Sequence, residues 1–268
     1  MTFPQLCSFA SFFGAEIHSV FLHVYGTFTV EEFLKYYHID SGLELNLQHH
    51  NDLEVLNKYS LLFPRLKELY VDVHHDPSIS MAFIELLKEN TTVTRINLRG
   101  NSFGGQDASA LADVLTANTT VTSVDLSSNA IGKEGVIALA EALKVNTAIT
   151  SIDLGDNFIG AVGAEALGDA LKHNHVVTSI NLRWNSVRAH GVRALAEALI
   201  VNDSITSINL ENNSIGDEGA SALAEALKIN TVVTDLNLKY NSVGSEGDGT
   251  LTESLKVNSQ LKIVGVRF

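Results

Sequence analysis

Asparagine recurs every 28 residues, without a slip, at Asn101, Asn129, Asn157, Asn185, Asn213 and Asn241. A fixed period in this range marks a chain built by stacking one supersecondary unit on the next. Around each asparagine the unit reads V/I-x-x-I/L/V-x-L-x-x-N: Val93, Ile96, Leu98 and Asn101 in one copy, Val177, Ile180, Leu182 and Asn185 in another. No arrangement that breaks this period satisfies the pattern, so a solenoid is the architecture to be expected.

Each unit opens as a short strand. Ile96 and Leu98 alternate with Arg95, Asn97 and Arg99, which sends one set inward and the other outward. The asparagine that follows carries both donor and acceptor groups, so it can satisfy backbone groups where the chain leaves the strand. An apolar residue comes next (Phe103, Ile131, Ile159, Val187, Ile215, Val243), then glycines such as Gly132 and Gly135, where tight turns are expected. These glycines lack the Gly-Lys-Ser/Thr ending of a phosphate loop. A helix closes the unit: Val136, Leu139 and Leu143 form one apolar stripe, with Ala140 and Ala142 keeping it narrow. A second asparagine column (Asn90, Asn118, Asn146, Asn174, Asn202, Asn230, Asn258) follows the helices, as left-handed stop signals would. Strands stack about 4.8 Å apart and helices about 8–10 Å apart. The helices therefore take the outer, convex arc and the parallel strands the concave one.

The unit from Val121 to Asn129, continued by Ile131 to Gly135 and Ala138 to Leu143, resembles the ribonuclease-inhibitor class of leucine-rich repeats. Similar units occur in innate-immune receptors, tropomodulin, the Ran GTPase-activating protein and intracellular bacterial effectors. The resemblance implies an α/β fold: a right-handed leucine-rich-repeat solenoid, or horseshoe, that binds proteins. The cysteine-bearing alternation of ribonuclease inhibitor itself is absent. Residues 91–268 carry the regular repeats. Residues 1–90 read as an N-terminal cap and irregular repeats continuous with them: Ile17, Val20 and Leu22 lead to Tyr25, Leu45 and Leu47 to His50, Leu66, Leu69 and Val71 to His74. Thr29 to Glu32 is a capping box for a helix through about Tyr37, and residues 4–13 suit a short covering helix. At the other end Leu261, Val264 and Val266 rebuild the strand pattern, and self-association through that strand is an expectation.

Charge narrows the function. The formal net charge is −13, which disfavours nucleic acid. One cysteine, Cys7, excludes an internal disulfide framework and fits the cytoplasm, or a host cytoplasm for a secreted effector. No Lys or Arg precedes Lys35, so the basic start of a secretory signal is missing, and no apolar run is long enough to span a membrane.

The outward strand positions are the natural binding surface. One column reads Asn97, Asp125, Asp153, Asn181, Asn209, Asn237; the next reads Arg99, Ser127, Gly155, Arg183, Glu211, Lys239, Arg267. Arg183, Glu211 and Lys239 make a plus–minus–plus row beside Trp184 and Tyr240. Tryptophan, tyrosine and arginine are the usual anchors of protein interfaces. The candidate protein-binding residues are therefore Arg95, Arg99, Asp125, Asp153, Arg183, Trp184, Glu211, Lys239 and Tyr240. The adjacent carboxylates Asp125 and Asp153 read as solvated surface rather than an acid/base pair. No catalytic residue, cofactor or metal is expected: His49, His50, His74 and His75 lack a completing carboxylate or cysteine. On the convex side Asp113, Glu141, Asp169, Glu197, Glu225 and Glu253 form an acidic column, with Lys144, Lys172, Lys228 and Lys256 each three residues after an acid. The expected function is a non-enzymatic protein-interaction module, an inhibitor or host-directed effector. The alternatives are an actin-capping protein or a GTPase activator working through Arg95 or Arg99.

Overall fold

A computed structural model describes three upstream strands, residues 20–23, 43–46 and 68–70, and the continuous stretch 77–265. Ten strands form one parallel sheet in chain order: β1 (Val20–His23), β2 (Leu43–Asn46), β3 (Glu68–Tyr70), β4 (Arg95–Asn97), β5 (Ser123–Asp125), β6 (Ser151–Asp153), β7 (Ser179–Asn181), β8 (Ser207–Asn209), β9 (Asp235–Asn237) and β10 (Lys262–Val264). Seven helices are described: α1 (Pro77–Glu89), α2 (Gly105–Ala117), α3 (Gly132–Val145), α4 (Gly160–Leu171), α5 (Arg188–Val201), α6 (Gly216–Leu227) and α7 (Ser245–Val257). Each helix packs on the next, and the strands line the concave face.

From β4 to β9 the register repeats residue for residue, as in Ser151 with Ser179, Ile152 with Ile180 and Asp153 with Asn181. Inward residues are fully buried: Ile180, Leu182, Val187, Val192, Leu195 and Leu199 close the core of one unit. Each such side chain favours folding by about 1.5–3 kcal/mol, the force that stacks the units. β10 departs from the sequence pattern. Ile263, not Val264, pairs with Leu236 and takes the inward position, because this last step of the register is one residue shorter.

Three side-chain ladders tie repeat to repeat. In the first, Asn185 Oδ1 accepts the backbone N–H of Asn157 (2.9 Å) and Ile159 (3.3 Å). Its Nδ2 donates to the carbonyls of Leu154, Leu182 and Arg183. These asparagines are buried, so each bond replaces one that water no longer offers. The second column corrects the left-handed expectation. Asn118, Asn146 and Asn202 are extended, with φ between −70 and −81. Asparagine is used there for its side chain: Asn202 Oδ1 accepts the N–H of Ser204 and Ile205, and Nδ2 reaches back to the carbonyls of Leu171 and Asn174. The third ladder is threonine. Thr122, Thr150, Thr178, Thr206 and Thr234 each donate Oγ1 to the carbonyl of the preceding threonine, starting from Thr94.

The glycines divide into two kinds. Gly132, Gly160 and Gly216 are left-handed turn residues, as expected. Gly135 and Gly219 lie inside helices, and their role is close packing: a Cβ on Gly135 would come within 2.6 Å of Ile131 and 2.8 Å of Ala108. The capping box at Thr29, the segment 4–13, Cys7, the histidine pairs, Val266 and Arg267 lie outside the described residues.

Candidate protein-binding face

The strands end where the outward Asn/Asp column turns the chain. Asp125 Oδ1 accepts the N–H and Oγ of Ser127, and Asp153 Oδ1 accepts the N–H of Gly155. Asn181, Asn209 and Asn237 do the same for Arg183, Glu211 and Lys239. This column therefore sets the direction of the next one. Asp125 and Asp153 are register partners on neighbouring strands. Burial pushes the Asp153 carboxyl above the usual carboxylate range, and Asp125 pushes it the same way; hydrogen bonds from Gly155 and Asn181 and the charge of Arg183 act against them.

In the following column Ser127 and Gly155 leave a shallow floor between Arg99 and Arg183. The stem of Arg183 lies across Gly155. Its guanidinium makes no hydrogen bond or ion pair with the described residues, and Nε is buried without a partner. Glu211 Oε2 accepts from Asn237 Nδ2 (3.0 Å), and no ion pair links Arg183, Glu211 and Lys239 among the described residues. The row presents its charges outward rather than neutralising itself.

Trp184 and Tyr240 flank this row. They are 54% and 74% exposed, two repeats or about 10 Å apart along the sheet. Both are left-handed, with φ of 59 and 57. That conformation costs a bulky L residue about 1–2 kcal/mol. At Trp184 it is held by the N–H, which donates sideways to the Glu211 carbonyl (2.9 Å), as Ser128, Asp156 and Asn212 do at the same place in their repeats. Arg183, Trp184, Glu211, Lys239 and Tyr240 thus share one region over β7–β9. Arg95 and Arg99 do not join them: Arg95 opens β4 and Arg99 lies just past its end, about 15 Å away. Sequence reasoning missed Phe158, 74% exposed and also left-handed, and Arg188, left-handed where Gly132, Gly160 and Gly216 stand in other repeats. The signal was present, since both are bulky residues in columns of small ones.

The convex side is tied to itself. Lys144, Lys228 and Lys256 pair with Glu141, Glu225 and Glu253 as the spacing predicts. Lys172 instead crosses to Glu197 on the next helix, because Lys144 already holds Asp169 at 2.7 Å. Lys144 keeps the Asp169 carboxyl below its usual range. Among the described residues no group of three His, Cys, Asp or Glu side chains is placed to hold a metal, and no helix is long and apolar enough to cross a membrane.

The family model for the leucine-rich repeat matches residues 89–112, 117–140, 145–168, 173–196, 201–224 and 230–247. No curated protein sequence matches the chain. Among solved structures, a leucine-rich-repeat-containing protein from Legionella pneumophila is 24% identical, with a TM-score of 0.58 over 91% of this chain and 80% of that one. The tropomodulin C-terminal domain of Caenorhabditis elegans is 18% identical, with a TM-score of 0.50 over 57% of this chain and 94% of that one. Leiomodin-1 actin-binding site 2 is 23% identical, with a TM-score of 0.47 over 69% and 91%. The first two show the same fold. The matched repeats span just over half of the chain and coincide with its asparagine ladder, and the chain belongs to the leucine-rich-repeat family.

Proposed function

We propose that the concave face binds a protein partner through the region over β7–β9, and that the chain works as an interaction module rather than a catalyst. The observation that carries this reading is the exposure of Trp184 and Tyr240 in left-handed conformations beside Arg183 and Lys239, which form no ion pair among the described residues. An exposed aromatic held in an unfavourable conformation, beside a cation whose hydrogen-bonding capacity is unused, gives the isolated chain little; burying both against a partner does more. Three ladders of side-chain bonds hold the wall rigid, so little ordering cost opposes binding. The single cysteine suits a reducing compartment, and a cytoplasm is the setting proposed. Occupying its partner's surface is how the module acts, whether as inhibitor or scaffold.

The test is affinity capture with the wild-type chain, Arg183→Glu, and Lys228→Glu as a convex-face control. A partner retained by wild type and control but lost with Arg183→Glu supports the reading. Equal loss with both variants, or with neither, sinks it.

A further inference from the structure

Fifteen residues between the strands and helices from β4 to α7 are left-handed. They fall in three columns: just before the ladder asparagine, just after it, and three residues after it. Eleven of them are glycine, serine, Asp156 or Asn212, small residues or ones suited to this conformation. The other four are Phe158, Trp184, Arg188 and Tyr240, and all four lie in the loops after β6, β7 and β9. At Trp184 and Arg188 the backbone is fixed by N–H bonds to the Glu211 and Asn213 carbonyls of the next repeat (both 2.9 Å), so there the conformation is not a response to the side chain. Nothing in the core receives them. Phe158, Trp184 and Tyr240 are exposed large side chains, and Arg188 has no ion pair among the described residues.

Charge selects the occupant. The chain carries −13 overall, yet Arg183, Arg188 and Lys239 form no ion pair among the described residues. Of the nearby acids, Asp217 accepts the N–H groups of Gly244 and Gly247, Glu218 pairs with Arg193 and Glu211 accepts from the Asn237 amide; Asp153 lies close enough to Arg183 to feel its charge, and Asp156 is exposed. Helix α5 has no acidic residue in its first turn, so the positive end of its dipole adds to the same field.

We propose that this rim is a docking surface for an acidic protein segment, with Phe158, Trp184 and Tyr240 covering its apolar side chains and Arg188, Arg183 and Lys239 pairing with its carboxylates. The proposal rests on the protein-binding reading above; it names the partner's chemistry and extends the anchor from the wall to the rim. A basic segment would meet three cations. A nucleic acid, with a negative charge on every phosphate, would feel the repulsion of the whole chain far more strongly than a short acidic segment does.

Trp184 is the only tryptophan, so its emission reports occupancy directly. The full chain is titrated at low salt with short synthetic peptides of equal Phe and Leu content, one rich in Asp and Glu and one in Lys and Arg, and with oligo-dT. The acidic peptide is expected to shift Trp184 emission, to bind more weakly as salt rises, and to lose about tenfold or more in affinity to the double variant Arg188→Gly, Tyr240→Asn. That variant places better left-handed residues at both positions, so an unchanged melting temperature shows that folding is intact. No shift with the acidic peptide, tighter binding of the basic peptide, or tighter binding of oligo-dT overturns the proposal. So does a captured partner lost with Arg183→Glu but retained by the double variant, which leaves the concave-wall reading standing.

Discussion

The stem of Arg183 rests on Gly155 of the preceding strand, where a Cβ would come within 2.8 Å of its Cγ and 3.1 Å of its Nε. The absence of a side chain at residue 155 is what lays Arg183 along the wall. Gly155→Ala should therefore lift Arg183 while changing stability by less than about 1 kcal/mol, since what yields is a side chain and not the backbone. Denaturation and partner affinity measured together check this. Unaltered affinity means that the placement of Arg183 is not used in binding.

Adjacent residues should respond in opposite ways. Asn185→Ala orphans the buried N–H of Asn157 and Ile159 and the carbonyl of Leu154, while the carbonyls of Leu182 and Arg183 keep Asn213 Nδ2 and the Asp156 N–H. Each unsatisfied buried group costs about 1–3 kcal/mol, so several kcal/mol should be lost. Trp184→Asn relieves a left-handed tryptophan and should hold or raise stability, by up to about 1 kcal/mol, while weakening partner binding. Asparagine or glycine is the cleaner probe at this position, because alanine shares the left-handed penalty. Chemical denaturation of both variants decides the contrast.

The two glycine roles separate in the same way. A Cβ on Gly163 would lie 2.5 Å from both Ile159 Cγ2 and Val136 Cγ1, so Gly163→Ala should cost about 1–3 kcal/mol through overpacking between repeats. Gly160→Ala meets open space, and its cost of about 1 kcal/mol comes only from φ +65. A cavity-making partner change, Val136→Ala, should recover part of the first loss and none of the second. Equal responses would contradict this assignment.

The raised Asp153 carboxyl predicts a pH effect. The folded chain holds this proton more tightly than the unfolded one. Stability from this group is therefore greatest below the unfolded value of about 4. It declines as pH rises through the window up to the folded value and stays lost at neutral pH. Asp153→Asn should be more stable than wild type at pH 7, by less than about 1 kcal/mol because solvent screens the site. The advantage should shrink below about pH 4. Paired denaturation curves at the two pH values check both the sign and the window.

The regular core was legible because its cause is periodic: Ile180, Leu182 and Asn185 recur where burial and backbone satisfaction require them, and the sequence shows that requirement directly. The threonine column from Thr94 to Thr234 has the same period and was equally readable; its role emerges only once neighbouring strands are aligned. The conformation of Asn202 was not legible. Asparagine tolerates a left-handed backbone, but here the reach of its side chain to Ser204, Ile205 and the previous repeat decides. The rim escaped for a related reason. Phe158 and Arg188 carry no local signal for a left-handed backbone, and at Arg188 the hydrogen bond to the Asn213 carbonyl of the next repeat imposes it. Ile263 took the place expected of Val264 because a one-residue change in register exchanges the two faces of a strand.

Every bond of the Asn185 ladder runs within its own unit or to the one before it, and Asn213 supplies the matching bonds from the one after. Such a chain can change its length only in whole steps. Inserting or deleting a full 28-residue unit preserves every partner on both sides of the splice, whereas a single added residue near the ladder misaligns them all. The span available to grip a partner is thus quantised, and evolution or design can lengthen it by duplication alone while the four rim residues are exchanged one at a time.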